Sequence, residues 1–575
     1  MIRVLACLLV FIAAPALAQS ANDDAFTALT QREWAWRQAL DGSDDAISAR
    51  LSDVSPAAQA SRLAYWQDIE KQLDTIGKGS LTPAHRDDFA VYKAGIDALV
   101  AQQVFREYER PLNSDSAFWS DLLYVTDQPF RTEADYRNYL SQLSEMPRYF
   151  DQNIANMRTG LARGFTPPRV TLEGRDASIR TIIDAAPEAD GFYKPFVTMP
   201  ASIPAAVQAD LRAQAVRVIR EAVVPAHRKL LAFLDTDYIP HAQAAIGASA
   251  LPGGMAYYRS KIREYTTLDL DPETIHQTGL TEVARIHAEM LVTMKDAHFN
   301  GDLPAFLQFF RTDPQFYAKT SQELLDRAAW TSKRFDGIAD KWFGHLPRRR
   351  FGIEPVAPEF APYYTSGRGG PGVYYVNTYD LKSRPLFQLT ALTLHESAPG
   401  HAFQIPLAEE NMALSPFRRR TYISAYGEGW ALYCERLGVE MGLYDSAYDR
   451  FGYLSYQMWR AARLVVDTGI HAKGWTRDQA RQYLRDNTAL SEHEIDTEVD
   501  RYISWPGQAL SYYLGEMTIV AAREKAEKAL GPQFNIRAFH DSVLELGSVP
   551  LPVLTAHIDA FIANGGVGPY PDEEK

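Results

Sequence analysis

The chain has 575 residues, of which 46% are hydrophobic, and its formal net charge is -13 at pH 7. An acidic chain of this kind lacks the basic surface that sequence-independent nucleic-acid binding requires, which argues against that class of function. The hydrophobic fraction over this length predicts a large buried core.

The N-terminal residues 1–18 are typical of a secretory signal peptide. Arg3 supplies a basic start, Val4 to Ala14 form a short apolar run, and small residues precede the expected cleavage between Ala18 and Gln19. The apolar run is too short to span a bilayer. We therefore expect an exported protein, periplasmic or secreted.

Cysteine usage gives one alternative to simple cleavage. Cys7 lies within the predicted signal peptide and is a weak candidate for a lipid anchor. Cys434 is the single cysteine of the expected mature chain, so no intrachain disulfide can form. The core alone must therefore stabilise the fold.

Apolar residues three and four positions apart predict a mainly α fold. The clearest stretches are Ala57 to Ile76, Asp87 to Tyr108, Tyr136 to Met157 and Ala205 to Leu234. Downstream, helix starts are predicted at Asp271-Pro272, at Thr476-x-x-Gln479 and at Ser491-x-x-Glu494.

The domain organisation is predicted as one large helical body with two lobes. Neither a repeat nor a Pro/Ser/Gly-rich tether divides the chain. The segment from Trp342 to Pro358 interrupts the helical pattern. We therefore expect an N-terminal part over 19–341 and a C-terminal, metal-binding part over 342–575 that is not an independent domain.

A small β element is predicted at Val373 to Asn377, where β-branched and aromatic residues follow a glycine-rich segment. The glycines form either a flexible turn or a loop over a cleft. In the second interpretation the strand lies at a sheet edge and pairs with an extended peptide. Tyr375 and Asn377 are then candidate substrate-binding residues.

The segment HESAPGH holds the first candidate metal ligands, His395 and His401. Zinc peptidases usually carry H-E-x-x-H, with histidines four residues apart on one helical face. Here the spacing is six, which on a regular helix turns the second histidine by about 240°. Pro399 and Gly400 must therefore bulge or break the helix if both imidazoles are to face one ion.

Two glutamates in AYGEGWALYCE extend this hypothesis. Glu428 and Glu435 are seven residues apart, which places them almost in line on a helix. A zinc site needs a third protein ligand, and we assign Glu428 to it. Glu435 is the candidate partner that orients a ligand histidine. The alternative is that both acids form salt bridges on a solvated face.

The remaining catalytic candidates are an acid, a histidine and two tyrosines. Glu396 adjoins His395, where a carboxylate could act as general base. His471, with Asp467 one helical turn before it, could donate to the developing oxyanion. Tyr512 or Tyr513 could do the same, and any of these residues could equally be ordinary core residues.

Arginine is the side chain best suited to hold a peptide carboxylate, because its guanidinium binds in a bidentate manner. The candidates in this chain are Arg384, Arg463 and Arg501, and the sequence does not choose among them.

Taken in order, these segments resemble the bacterial domain-of-unknown-function 885 family. The resemblance rests on LPGGMAYY, TTLDLDPETIHQTGLTEVARIHAEM, PGVYYVNT, HESAPGHAFQ, YGEGWALYCE, DTGIHAKGWT and PGQALSYYLGE. That family looks like a divergent relative of the helical zinc oligopeptidases of the thimet oligopeptidase and angiotensin-converting-enzyme type. Such a relationship implies two helical lobes around a deep cleft and one Zn²⁺ per chain.

The resemblance also implies roles for individual residues. His395 and His401 match the metal-binding histidines, Glu396 the general base and Glu428 the glutamate ligand. Tyr512 or Tyr513 resembles the transition-state tyrosine, and His471 its neighbouring histidine. The six-residue histidine spacing departs from the oligopeptidase motif. Many relatives carry a second histidine after His401, where this chain has Ala402.

The first functional hypothesis is a zinc-dependent peptidase that acts on short peptides. A second is a metal-dependent amidase or esterase acting on a small molecule through the same site. A third is a peptide-binding scaffold without catalysis, against which the presence of Glu396 argues. Histidine and carboxylate ligands suit zinc, although other divalent ions bind such sites in vitro.

Overall fold

The computed structural model describes residues 13–41, 46–114, 116–358, 361 and 365–573. Over these residues the fold is mainly α with one small sheet, which confirms the predicted fold class. Residues 1–12 of the predicted signal peptide, Cys7 among them, lie outside the described residues. No helix within the described ranges is long and apolar enough to cross a membrane.

The chain divides into two compact units, Met1–Ala245 and Ile246–Lys575. The boundary expected at residues 341 and 342 therefore falls inside the second unit. The segment from Trp342 to Pro358 interrupts the helices because it contains a β-strand, and it does not separate two bodies. Every candidate site residue belongs to the second unit.

Proline positions divide the long helices predicted for the first unit. The stretch from Tyr136 to Met157 splits before Pro147, because a proline has no N–H to continue the earlier helix. The stretch from Ala205 to Leu234 passes through a π-helical segment, Ile219–Val223, just before Pro225. Helices α1 to α10 are Ala13–Asp41, Pro56–Ile76, Pro83–Phe105, Glu133–Ser144, Met146–Arg163, Asp176–Asp184, Lys194–Val197, Ala205–Val218, Val224–Phe233 and Ile239–His241.

The predicted caps of the second unit are present. Asp271 accepts from the Glu273 amide, Thr476 forms a reciprocal capping box with Gln479, and Ser491 accepts from the Glu494 amide. Helices α11 to α23 are Gly254–Thr266, Pro272–Asp296, Leu303–Thr312, Ser321–Asp336, Leu386–Glu396, His401–Glu410, Ser424–Glu440, Ala447–Lys473, Arg477–Asn487, Glu492–Ser504, Ser511–Leu530, Ile536–Leu544 and Leu551–Ala563.

A small sheet lies beside these helices, with strands β1 Gly352–Pro355, β2 Gly367–Gly370 and β3 Val373–Val376. Its order is β1-β3-β2, with β3 parallel to β1 and antiparallel to β2. The strand predicted at the edge is therefore the central one. The glycine-rich segment, predicted as a turn or loop, is itself an edge strand.

Helix α18 is the central support of the second unit. Its residues are buried almost without interruption from Phe451 to His471, as expected for a helix surrounded by protein. Helices α12 and α15 pack on it, α17 packs on α21, and α15 contacts both α17 and β2. These contacts bring the three candidate metal-ligand segments together.

Candidate metal centre

The helix carrying His395 breaks between Ser397 and Gly400, as the Pro-Gly pair predicts. Helix α15 ends at Glu396, the Ala398–Pro399 peptide bond is cis, and α16 begins at His401. Gly400 has a negative φ of -74°, so its role is not a left-handed turn. A Cβ on Gly400 would instead lie 1.8 Å from the carbonyl oxygen of His395.

The break turns His395 and His401 toward the same carboxylate. Glu428 Oε2 lies 3.3 Å from His395 Nε2 and 3.4 Å from His401 Nε2. The two imidazole rings are perpendicular, with centroids 5.0 Å apart. One ligand atom from each of the three side chains lies within 4.8 Å of the other two. The three predicted ligands thus form one cluster.

The donor set and spacing of this cluster fit a zinc ion. Zinc prefers imidazole nitrogen and carboxylate oxygen in a tetrahedron with bonds of about 2.1 Å, whose edges measure about 3.4 Å. The two His–Glu428 distances match that edge. Two histidines and one glutamate leave the fourth position for water or substrate, as in catalytic zinc sites. His395, His401 and Glu428 would hold the ion.

His395 contacts a carboxylate at each ring nitrogen. Its Nδ1 lies 2.8 Å from Glu435 Oε1, and its Nε2 faces Glu428. Burial lowers the pKa of His395, but the hydrogen bonds to Glu428 and Glu435 outweigh burial and raise that pKa to about 10.

Glu428 is the carboxylate that faces both histidines. Burial favours its protonated form, yet the charge of His401 and the hydrogen bonds from both histidines hold its pKa well below the usual range. The carboxylate therefore stays ionised, which is the form that binds a metal ion.

Glu435 occupies the orienting position predicted for it. Its side chain is fully buried on α17 and accepts from His395 Nδ1. Arg460 Nη2 lies 3.3 Å from the same oxygen and supplies the compensating charge. A ligand histidine that donates through one nitrogen to a carboxylate has its other nitrogen fixed for the metal.

Trp430 supports the site through a contact that residue spacing does not predict. Its buried indole Nε1–H donates to the Pro399 carbonyl at 2.8 Å. The bond ties the break after α15 to helix α17, two residues beyond Glu428. This explains the bulky aromatic residue in the GEGW sequence.

Glu396 lies beside the cluster and is held by strand β2. The Gly369 N–H donates to Glu396 Oε2 at 2.7 Å. The charge of Glu396 also contributes to the raised pKa of His395, after the hydrogen bonds of the two other glutamates. The candidate general base is therefore positioned by a backbone amide of the sheet edge.

The structure distinguishes the two candidate tyrosines. The Tyr512 ring stacks over His395 with centroids 6.3 Å apart, and its hydroxyl accepts from Arg501 at 3.2 Å. The Tyr513 hydroxyl donates to Glu282 and accepts from Arg285, both on α12. Tyr512 therefore adjoins the cluster, whereas the Tyr513 hydroxyl contacts α12.

His471 and Asp467 do not form the predicted pair at the site. His471 Nδ1 accepts from the Ala248 amide at 3.0 Å, so its proton is on Nε2, which donates to the Tyr502 carbonyl at 2.9 Å. Asp467 accepts from the Tyr258 hydroxyl and the Gly507 amide. Both residues thus hydrogen-bond to groups packed around α18, and the oxyanion role of His471 stays a prediction.

The candidate arginines are engaged with protein groups. Arg463 is buried, donates to Tyr502 and Glu498, and stacks on the Tyr512 ring at 4.4 Å. Arg501 donates to the Tyr512 hydroxyl and to Gln508. The contacts of Arg463 are thus all with protein groups, its substrate-binding role stays a prediction, and both arginines brace Tyr512. Arg384 donates to the Ser366 hydroxyl.

The two candidates on the strand have different positions. Asn377 is fully buried, and its amide donates to the Ala361 and Thr365 carbonyls, so it fixes a turn and does not face substrate. Tyr375 on β3 is 37% exposed and stays a candidate for substrate contact.

Tyr422 contacts the cluster but carries no sequence signal. Its hydroxyl donates to Glu428 Oε1 at 3.0 Å, and its ring centroid lies 6.3 Å from that of His401. It stands in the segment before α17, six residues before Glu428. No helical spacing relates the two residues, which explains why the sequence did not predict the contact.

A mainly α fold with a His₂Glu cluster, in which both histidines are buried, defines a candidate metalloprotein. Residues 36–558 match the family described as "Bacterial protein of unknown function (DUF885)", and the chain belongs to that family. No curated protein matches the chain.

Two solved structures have a similar fold. One is a "putative lipoprotein" from Colwellia psychrerythraea, with a TM-score of 0.86, 26% identity, and coverage of 96% of this chain and 100% of the other. The second is a "putative lipoprotein of unknown function" from Shewanella oneidensis, with a TM-score of 0.70, 17% identity, and coverage of 95% and 99%. The second likeness concerns the fold alone.

Proposed function

We propose that this protein is a zinc-dependent peptidase that hydrolyses short peptides. The observation that carries the proposal is the convergence of His395, His401 and Glu428 next to the carboxylate of Glu396. A purely structural ion pair would need neither a third ligand at tetrahedral spacing nor a second carboxylate beside it.

The chemistry follows from the groups that surround the cluster. A bound zinc ion would polarise the scissile carbonyl and ease deprotonation of the attacking water. Glu396 would take that proton and pass it to the leaving amine. The Gly369 amide holds Glu396 in place, which reduces the reorganisation needed when substrate binds.

Tyr512 is the candidate donor to the oxyanion. Because Arg501 donates to the Tyr512 oxygen, the phenolic hydrogen is left for another acceptor. Arg463 and His395 both stack on the Tyr512 ring. A donor fixed in this way costs little reorganisation when charge develops on the carbonyl oxygen.

Strand β2 supports a peptide as the substrate. It pairs with β3 on one side, and its Gly369 N–H points to Glu396 on the other. An extended peptide can bind by adding a strand to a sheet edge, here beyond the Gly369 N–H that Glu396 already occupies. The scissile bond would then lie beside the general base.

Export of the protein is part of the proposal. The N-terminal pattern of a basic residue, an apolar run and a small-residue cleavage site supports it, as do the lipoprotein descriptions of the two similar structures. Cleavage after Ala18 releases a periplasmic or secreted protein, and a lipid on Cys7 is the alternative.

Hydrolysis of a mixed library of short peptides by the native protein and by Glu396→Gln tests the function. We expect the variant to keep its zinc and to lose about 10²- to 10⁴-fold in rate, as for loss of a general base. Glu409→Gln, whose carboxylate pairs with Arg349 at the surface, is the matched control and should cleave normally.

Three outcomes contradict the proposal. Unchanged cleavage by Glu396→Gln overturns the assignment of the base. Hydrolysis of esters or small amides without peptide cleavage supports the amidase or esterase alternative. Peptide binding without any hydrolysis supports a scaffold.

A further inference from the structure

The two oxygens of Glu428 have different partners. Oε2 faces the Nε2 atoms of His395 and His401, at 3.3 and 3.4 Å. Oε1 accepts a hydrogen bond from the Tyr422 hydroxyl at 3.0 Å. Tyr422 thus contacts a candidate ligand directly, although it has no role in the proposed reaction.

The Tyr422 ring is placed by the helix that carries Glu428. A Cβ on Gly427 would lie 2.4 to 2.6 Å from the ring atoms Cε2, Cζ and Oη, so this ring position requires glycine at 427. The ring lies edge-on to His401, with an interplanar angle of 62°. The close fit at Gly427 directs the hydroxyl to the carboxylate.

Tyr422 is also the exposed member of the two tyrosines around the cluster. It is 47% exposed, whereas Tyr512 is 8% exposed. Its ring therefore contributes little to the core, and its hydroxyl donates to the carboxylate. A residue that only filled space would not need a hydroxyl at this point.

A carboxylate with two unrestrained oxygens can bind a metal ion through one or through both. A hydrogen bond to one oxygen withdraws it and leaves the other for the ion. We propose that Tyr422 is a positioning residue, whose phenol holds Glu428 Oε1 so that the carboxylate binds the metal through Oε2 alone. This inference rests on the metal site of the proposed function.

The consequence concerns the coordination number. With Glu428 bound through one oxygen, the three protein ligands leave a position for water or substrate. Without the phenol, the carboxylate can rotate and present both oxygens. Metal affinity then falls because the ligand is no longer pre-oriented, typically by about 10- to 100-fold.

The experiment compares the native protein with Tyr422→Phe, which keeps the ring and removes the hydroxyl. Zinc affinity is measured by competition with a chelator, and coordination by the visible absorption of the Co²⁺-loaded protein. We expect about 10- to 100-fold weaker zinc binding. We also expect weaker cobalt bands, because a fifth ligand reduces the intensity typical of four-coordinate Co²⁺.

Gly427→Ala tests the same Tyr422–Glu428 contact by moving the ring instead of removing the hydroxyl. Its Cβ displaces the ring while the hydroxyl is retained, so zinc affinity should fall in this variant as well. Tyr426→Phe is the control, because its hydroxyl donates to the Val543 carbonyl and does not touch the cluster. Its zinc affinity and cobalt spectrum should equal those of the native protein.

The outcomes separate this inference from the proposed function. Native zinc affinity and an unchanged cobalt spectrum in Tyr422→Phe, with metal lost in His401→Ala, overturn the positioning role and leave the metal site standing. If the native protein binds no zinc, the proposed function fails first. Should Tyr422→Phe and Tyr426→Phe weaken zinc binding equally, a general loss of packing replaces the specific role.

Discussion

His395 Nδ1 lies 2.8 Å from Glu435 Oε1, so the imidazole is held from behind by a buried carboxylate while its Nε2 faces Glu428. The two glutamates are seven residues apart on α17 and engage opposite nitrogens of one ring. This relationship fixes the ring orientation and makes Nε2 the nitrogen available to a metal ion.

Glu435→Gln tests the orienting carboxylate. The neutral amide accepts more weakly from Nδ1 and leaves Arg460 without its charge partner, so zinc affinity should fall about 10- to 100-fold. Competition with a chelator measures the change. Glu440→Gln, on the same helix but paired with Arg523 at the surface, should bind zinc as the native protein does. Equal affinity in both variants would remove Glu435 from the site.

Tyr512→Phe and Tyr513→Phe form a matched pair. Removing the Tyr512 hydroxyl should lower kcat by about 10²- to 10³-fold, the usual effect of losing an oxyanion donor, with zinc content unchanged. Tyr513→Phe should leave kcat near the native value, because its hydroxyl contacts Glu282 and Arg285. Steady-state kinetics on one cleaved peptide measures both. The reverse order of effects would assign the role to Tyr513.

Trp430→Phe tests the hydrogen bond that links the break between α15 and α16 to helix α17. The substitution leaves the Pro399 carbonyl without its indole donor and should lower the free energy of unfolding by about 1–3 kcal/mol. Urea unfolding in the presence of a chelator measures this cost without the contribution of the metal. Zinc affinity should fall too, since the break orients His401. Native stability and affinity would show that the break does not depend on this bond.

Because Asp467 is buried, we expect the free energy of unfolding to depend on pH. Burial raises its pKa to about 7, against the hydrogen bonds from Tyr258 and Gly507, whereas an unfolded chain gives about 3.9. Between these values the folded state holds a proton that the unfolded state has released. Its contribution to stability is therefore full below about pH 4 and is lost as the pH rises through 7.

Asp467→Asn removes this titration while keeping an acceptor for Tyr258. The stability of the native protein relative to the variant should fall by up to about 1.4 kcal/mol per pH unit between pH 4 and 7. Urea unfolding at several pH values, with a chelator present, measures the difference. A difference that is constant with pH, or that grows as the pH rises, would contradict the assignment.

Local sequence rules predicted parts of the His/Glu cluster, because each rule concerned one short segment. The Pro399-Gly400 pair required a break, and the spacing of Glu428 and Glu435 placed both on one face. The fold class followed from periodicity in the same way. These features depend on backbone geometry within a few residues of each other.

Residues that act across elements could not be predicted in this way. Spacing places Asp467 and His471 on one face of α18. It does not show that the Ala248 amide and the Tyr502 carbonyl hydrogen-bond to the two ring nitrogens of His471. Nor does it show that the glycine-rich segment pairs with β3 and becomes the strand next to Glu396. Tyr422 lies in the segment before α17, and helical periodicity does not predict the contacts of such a segment.

Metal content measured by elemental analysis, on protein purified without chelator, tests the central claim most directly. We predict about one zinc per chain for the native protein, and a large loss in His401→Ala and in Glu428→Ala. His557→Ala, whose ring pairs with Glu545 away from the cluster, should retain the zinc. Full zinc occupancy in His401→Ala, or a native protein that binds no divalent metal, would contradict the account.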